Sequence, residues 1–516
     1  MGLVAEVYDV SGSGGRNLAL ERFLHAYHLD QSRQDDRFQW DDQIDFVCVH
    51  FDHKNRRTRL KQWPPDVLDG LVNGAEDGEA WKLGLDRYVF GSTAGIPYSG
   101  GSTQSLNEIE CSMASRRLRL MQILGDTGTA MTIPVLSPLS TSLSLHQNGE
   151  GHAGVGCDRY GLKVSLQAAN LDEALFLHDQ LIPIAPIMTA LSAGCPINDG
   201  RVTDVDSGQS RVCAVDSYLH PHSAIYNDIS PGHDQRVVQR LLDAGLDRPL
   251  AAHVTENYRR AAQYGLITED DPQFDQLQSL SGVRLLPPTD SPPRGWILQF
   301  RATDIQLTDF ENAAYACFIV LLSRVIVSSH LPLLIPISKA NENMNRASKR
   351  DAVLKAKFFF RCCPYSAPTH TSPPSLGDHT VDQISAHDYY PELSLDEIIN
   401  GSPSFPGFIP MIQEYLDSVD VDTGTRCKVQ QYLTLIQGRA RGDLWTLARF
   451  MREFVHRHPD HSEGSILGER GCYDLVNTMN EIVQGRVTCR KLNDLKHLQY
   501  IGNYNLFDQA SECCFW

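Results

Sequence analysis

An α+β fold is predicted by three features of the chain. Stretches at residues 42–53, 154–169 and 296–303 alternate side-chain character with period two, as half-buried strands do. A long, almost unbroken apolar helix follows the last of them, opened by Thr308 with Glu311 three residues on, the pattern of a capping box. From Ser394 onward the chain reads as successive helices.

Residues 1–20 carry SGSGG and are expected as a flexible N-terminus, ahead of a helical pattern from Leu18. In the first strand Gln43, Asp45, Val47 and Val49 share one face, and Ile44, Phe46, Cys48 and His50 the other. Two polar side chains at alternate positions suit a site on an open sheet face. Residues 88–98 read as a strand entering a Gly/Pro loop, and 105–119 as a helix carrying Glu108, Glu110, Arg116 and Arg117. The uncharged Thr/Ser/Pro/Gly segment 125–151 is expected as a linker.

In the second strand Arg159, Lys163, Ser165 and Gln167 alternate with Tyr160, Leu162, Val164 and Leu166, so the basic side chains point away from the core. Asn170 caps a helix expected to break at Pro183 and Pro186. In the third strand Gln299 and Arg301 face the same way, opposite Leu298 and Phe300. These boundaries give a core over 21–360, a Pro/Ser/Thr/His-rich linker over 361–393, a helical part over 394–490 and a tail over 491–516. Ser394 and Glu397 form a second capping box, with Gly401 as its helix stop.

Composition narrows the function classes. A formal charge of −17 and a pI of about 5.5 argue against nucleic acid, whose binding needs clustered Lys and Arg. The one basic cluster, Lys54 with Arg56, Arg57 and Arg59, fits a solvated hairpin edge. The apolar run Ala313–Leu322 is about half a bilayer span and no leader pattern opens the chain, so no membrane partner is expected. Thirteen cysteines without metal-ligand spacing suit reduced thiols in a cytoplasmic protein. His456, His458 and His461 end a helix, where cations complement its dipole, and are not read as metal ligands.

The block TDFEN at 308–312 with LIPISKANENM resembles the eukaryotic-type glutamate–cysteine ligase catalytic subunit family. FLHAYH, FDHKNRR, ALSAG, DSYL, EIING, FPGFIP, DVDTGTRC and LARFMREFVHRHPD follow in that family's order. The resemblance implies an antiparallel sheet curled into a glutamine-synthetase-like funnel with helices outside it. It also implies an enzyme that joins the side-chain carboxylate of glutamate to cysteine through an acyl phosphate, using ATP held by Mg²⁺ on glutamates.

Against that pattern, family acids are replaced at Gln43 and Gln299 and near Gly84 and Gly91, Asp45 is a shorter acid, and Glu110 is kept. An amide is a poor Mg²⁺ ligand. Arg159 and Lys163 stand on a strand that is uncharged in the family. Acids lost and bases gained lead to the expectation of a repurposed enzyme of specialised metabolism. It would act on a small carboxylate or amino-acid-derived substrate by cyclisation, isomerisation or elimination, without ATP or metal. Lys163, Asp45 and Glu110 would be catalytic, and Arg301, Arg159, Gln299, Gln43 and Gln167 substrate-binding.

Two alternatives stand beside it. One is a residual ATP-dependent γ-glutamyl ligase, with Asp42, Asp45 and Glu110 holding fewer Mg²⁺ ions. The other is an inactive relative that binds a ligase subunit. Independently of these, Arg159 and Lys163 can be read as merely filling the space of a deleted loop and pairing with surface acids.

Overall fold

The computed structural model describes residues 20–21, 23–28, 36–64, 67, 71, 81–83, 88–100, 104–133, 161–198, 201–207, 217–229, 235–263, 282–290, 293–361, 390–459 and 467–492. Among them, nine strands form one antiparallel sheet. They are β1 (Gln39–Asp52), β2 (Arg57–Lys61), β3 (Trp81–Leu83), β4 (Val89–Thr93), β5 (Tyr98–Ser99), β6 (Thr129–Met131), β7 (Leu162–Gln167), β8 (Val283–Leu286) and β9 (Ile297–Thr303). The principal order is β8-β9-β7-β1-β4-β3.

β1 organises this sheet because its 14 residues are long enough to pair along both edges. Trp40 pairs with both Tyr98 and Leu166, Gln43 with both Thr93 and Lys163, and Val47 with both Val89 and Met131. One edge therefore carries β5, β4 and β2, and the other β7 and β6. Part of the expected 125–151 linker belongs here, since Thr129–Met131 is the strand β6; residues 134–151 lie outside the described set.

Trp40, Ile44, Phe46 and Cys48 of β1 enter the main apolar core, together with Val164, Leu166, Leu298 and Phe300. Helices cover that face: α1 (Ser105–Leu124), α2 (Leu171–Leu181), α3 (Ile184–Ser192) and α4 (Asp309–Ser329), with α5 (Thr423–Arg441) packed outside them against α4. α4 has the predicted capping box, in which Glu311 N–H donates to Thr308 Oγ1 at 3.2 Å and Thr308 N–H donates to Glu311 Oε2 at 3.0 Å. Although α4 is long and apolar enough to cross a bilayer, 89% of its most apolar stretch is buried inside the protein. It is a core helix.

At its far end, β1 turns Val47 and Val49 to the other face, where a second apolar cluster forms with α6 (Leu447–Arg457) and α7 (Glu469–Val483). Both faces are covered there, so the polar stretch of β1 stops at Asp45. Pro183 begins α3 as its N-cap, and the chain bends 54° between α2 and α3. Pro186 does not break a helix as expected, because it stands in the first turn of α3, where its missing N–H costs nothing.

The α1 layer is fixed to the sheet by a buried ion pair. Arg116 Nη2 donates to Asp42 Oδ2 at 2.5 Å, and Arg116 Nη1 donates to the Ser92 carbonyl at 2.9 Å. Tyr98, stacked on Trp40 at 4.3 Å, donates its hydroxyl to Asp42 Oδ1 at 3.2 Å. Both charged side chains are essentially inaccessible to solvent. R116A would leave a bare carboxylate in the core, at a cost of about 3–5 kcal/mol in stability. Adding D42N to R116A recovers part of that loss, because a neutral amide is less costly to bury. Urea unfolding of the two variants checks both statements, and a loss below about 1 kcal/mol for R116A would refute the first.

Candidate functional site

Strand register assembles a polar face opposite the main core. Residues directly paired in an antiparallel sheet point to the same side, so the pairings define cross-strand rows. One row runs Asp41, Ser165, Gln299, Arg284. The next runs Thr93, Gln43, Lys163, and a third pairs Gly91 with Asp45.

Between Phe300 and Thr303 the β7–β9 register shifts, with three steps on β9 against two on β7. This bulge sets Arg301 and Ala302 opposite Lys163, and Arg301 keeps to the polar side with Gln299. The alternation of small runs in β1, β7 and β9 thus brings Gln43, Asp45, Lys163, Gln167, Gln299 and Arg301 to one face, as predicted. Arg159 lies outside the described residues.

Within the face the side chains form a short relay. Gln43 Nε2 donates to Asp45 Oδ1 at 3.0 Å, and Lys163 Nζ donates to Asp45 Oδ2 at 2.9 Å. The Gly161 amide donates to the same Oδ2 at 3.4 Å. Gly91 makes room for this arrangement, since a Cβ there would stand 2.8 Å from Gln43 Nε2 and 3.0 Å from Asp45 Oδ1. Gln299 Nε2 donates to Ser165 Oγ at 3.4 Å and its Oε1 accepts from Arg284 Nη1 at 3.5 Å.

Burial lowers the pKa of Lys163; Asp45 partly restores it, while Arg301 and Arg284 lower it further. Burial, reinforced by neighbouring Asp42, raises the Asp41 carboxyl to about 7, against Arg116, the Ala94 N–H and Arg294, which lower it.

Other sequence candidates are placed elsewhere. Glu110 is not beside Asp45 and Lys163. It lies on α1, on the helical side of the sheet, where Lys428 Nζ pairs with its Oε2 at 2.7 Å and Tyr432 donates to the same oxygen at 3.1 Å. Asp42, grouped with Asp45 and Glu110 as an ion-holding set, faces the main core with Arg116. Asp42 and Asp45 are split by the sheet, because strand residues an odd number of positions apart point to opposite faces, and Glu110 stands on the helix α1.

Gln167 is on the correct face but is committed to the backbone, donating to the Arg37 carbonyl at 3.0 Å and accepting from Gly295 N–H at 3.3 Å. Of the histidine cluster, His458 lies 3.1 Å from Asp474 and His461 is outside the described residues.

Two members of the face escape the sequence reading, Asp41 and Arg284. Asp41 is two residues before Gln43 and follows from the same alternation. Arg284 is the single charge in the short strand VRLL, a signal visible in the sequence.

Magnesium held on carboxylates needs several oxygen donors converging. Among the described residues, no grouping of three or more His, Cys, Asp or Glu side chains could hold a metal ion. Asp45 is engaged by Gln43, Gly161 and Lys163, and Asp41 Oδ1 accepts from Ala94 N–H at 3.3 Å. The described donors do not fit a carboxylate-held ion.

Comparison with known proteins bears on the whole chain. The family model described as "Glutamate-cysteine ligase" matches residues 15–151, 148–208 and 207–482. The chain is 30% identical to the "Glutamate--cysteine ligase catalytic subunit" of Mus musculus, over 92% of this chain and 94% of that one. It is likewise 30% identical to the catalytic subunit of Homo sapiens, over 95% and 96%. It is 34% identical to the "Glutamate--cysteine ligase" of Schizosaccharomyces pombe, over 64% and 53%. A solved complex between Prokaryotic Ubiquitin-like Protein Pup and its ligase PafA matches with a TM-score of 0.43 and 10% identity, covering 88% of this chain and 76% of that chain.

These likenesses overturn the expectation of a repurposed enzyme of specialised metabolism working without ATP or metal. The relatives matched along nearly the whole chain are named ligases, and the amides at Gln43 and Gln299 do not outweigh that match. The expectation that no cofactor is needed falls with it.

The Asp41 carboxyl gives the face a measurable pH signature. An unfolded aspartate ionises near 3.9, so between about pH 4 and 7 the folded chain keeps a proton that the unfolded chain has released. Stability therefore falls as pH rises through that window. D41N lacks the effect, so the melting temperature of D41N relative to wild type climbs from pH 4 to 7 and levels off above. A gap that is flat with pH would show that Asp41 ionises normally.

Proposed function

The chain belongs to the glutamate–cysteine ligase family, and we propose that it is an ATP-dependent ligase joining the side-chain carboxylate of glutamate to the amine of cysteine. The observation that carries this reading is the likeness to catalytic subunits of that name along more than nine-tenths of the chain. The polar face supports it, because Lys163, Arg284 and Arg301 gather on one side of a sheet in a protein of net charge −17. Such a cluster suits small anionic substrates.

In the reaction implied by the family, a glutamate side-chain oxygen attacks the γ-phosphorus of ATP and the bond to ADP breaks. The cysteine amine then attacks the acyl carbon, phosphate leaves with the bonding electrons, and the amine releases a proton. Arg301 offers a planar fork to a substrate carboxylate. Asp45 and Gln43 orient the Lys163 ammonium beside it. ATP with Mg²⁺ is the cofactor set that the family brings. The mammalian relatives are named catalytic subunits, which supports a separate subunit as partner.

An assay of the full chain with Mg-ATP, L-glutamate and L-cysteine tests the reading. ADP release that requires both amino acids, with a product of the mass of γ-glutamylcysteine, is expected. R301A is expected to lower kcat/KM for glutamate by about 100-fold, as a charged carboxylate contact is lost. Neither ADP nor product with the wild-type chain would refute the assignment.

A further inference from the structure

The reaction proposed above brings a carboxylate against a polyphosphate, and two anions approach only where positive charge is fixed between them. Among the described residues, the polar face holds no carboxylate grouping that would fix a metal ion, but it does hold a tethered ammonium. Lys163 is buried with 9% of its surface exposed, and its hydrogen-bonded partner is Asp45 Oδ2. An ammonium has three N–H donors, so this bond leaves two for a ligand.

Tethering is built into the register. Gly91 leaves the space in which Gln43 lies against Asp45 Oδ1, and Asp45 then presents Oδ2 to Lys163. The β9 bulge brings Arg301 opposite Lys163, and Arg284 stands in the adjoining row. Lys163, Arg284 and Arg301 thus share one face with Asp41 and Asp45. Arginine and lysine divide the work by shape. A planar guanidinium matches a carboxylate, whereas a compact ammonium serves a phosphoryl oxygen as a point charge.

Resting on the ligase reading, we propose that Lys163 binds a γ-phosphoryl oxygen of ATP, with Asp45 as the positioning residue that holds its ammonium and Gln43 as the prop behind Asp45. This assigns to a side chain of the protein part of the charge neutralisation that phosphoryl transfer requires.

The test is calorimetric titration of the full chain with ATP and, separately, ADP in Mg²⁺ buffer, for wild type, K163Q and K163Q/D45N. The double variant removes both charges and leaves no buried carboxylate unpaired, which guards against misfolding of the single one. Both variants are expected to lose about tenfold or more in ATP affinity, as for a hydrogen bond to a charged group, with ADP affinity changed less than about twofold. Melting curves report whether the variants are folded. Equal losses for ATP and ADP, or unchanged ATP binding, overturn the role given to Lys163 while the ligase reading survives. Failure of wild type to bind either nucleotide overturns both.

Discussion

The hydrogen bonding of β1 along both of its edges is the constraint on which the rest of the structure depends. A strand in that position cannot slip by one residue without turning Trp40, Ile44, Phe46 and Cys48 out of the core and Asp41, Gln43 and Asp45 into it. Apolar burial on one face thereby fixes the polar face to the side-chain level. Asp42 is a buried charge on the core side of β1, and it is tolerated because Arg116, Tyr98 and the packing of α1 close around it. The same guanidinium bonds Ser92 of β4, so one buried pair ties a helix to two strands.

The polar face is shaped as much by what is missing as by what is present. Gly91 has no side chain, and Gln43 occupies the room. The bulge in β9 adds one residue opposite Lys163 and lets Arg301 approach from the neighbouring strand, a recurrent use of bulges in re-aiming functional side chains. At the far end of β1, Val47 and Val49 disappear under α6 and α7, so the charged patch has a defined limit.

Features governed by nearby residues were legible in the sequence. The capping boxes at Thr308 and Ser394, the Asn170 cap and the side of each strand on which Gln43, Lys163 and Arg301 lie all follow from spacings of a few residues. What was not legible depends on distant packing. Glu110 was placed with Asp45 from motif order, yet its partners Lys428 and Tyr432 arrive from α5, over 300 residues away in the chain. Gln167 reads as a site residue by alternation, and only the approach of Arg37 and Gly295 reveals its structural use. Likeness along nearly the whole chain bears more on function than the acids exchanged at Gln43 and Gln299.

The covering of Val47 and Val49 has a consequence for synthesis of the chain. Their shelter comes from α6 and α7, about 400 residues after them, and Arg56 next to β2 pairs with Asp474 across the same interval. At ribosomal rates of 5–20 residues per second, roughly 20–80 seconds pass between emergence of β1 and emergence of its cover. Throughout that time Val47 and Val49 lack the cover of α6 and α7. Substitutions that slow docking of the last helices should reduce the yield of protein before they reduce its activity.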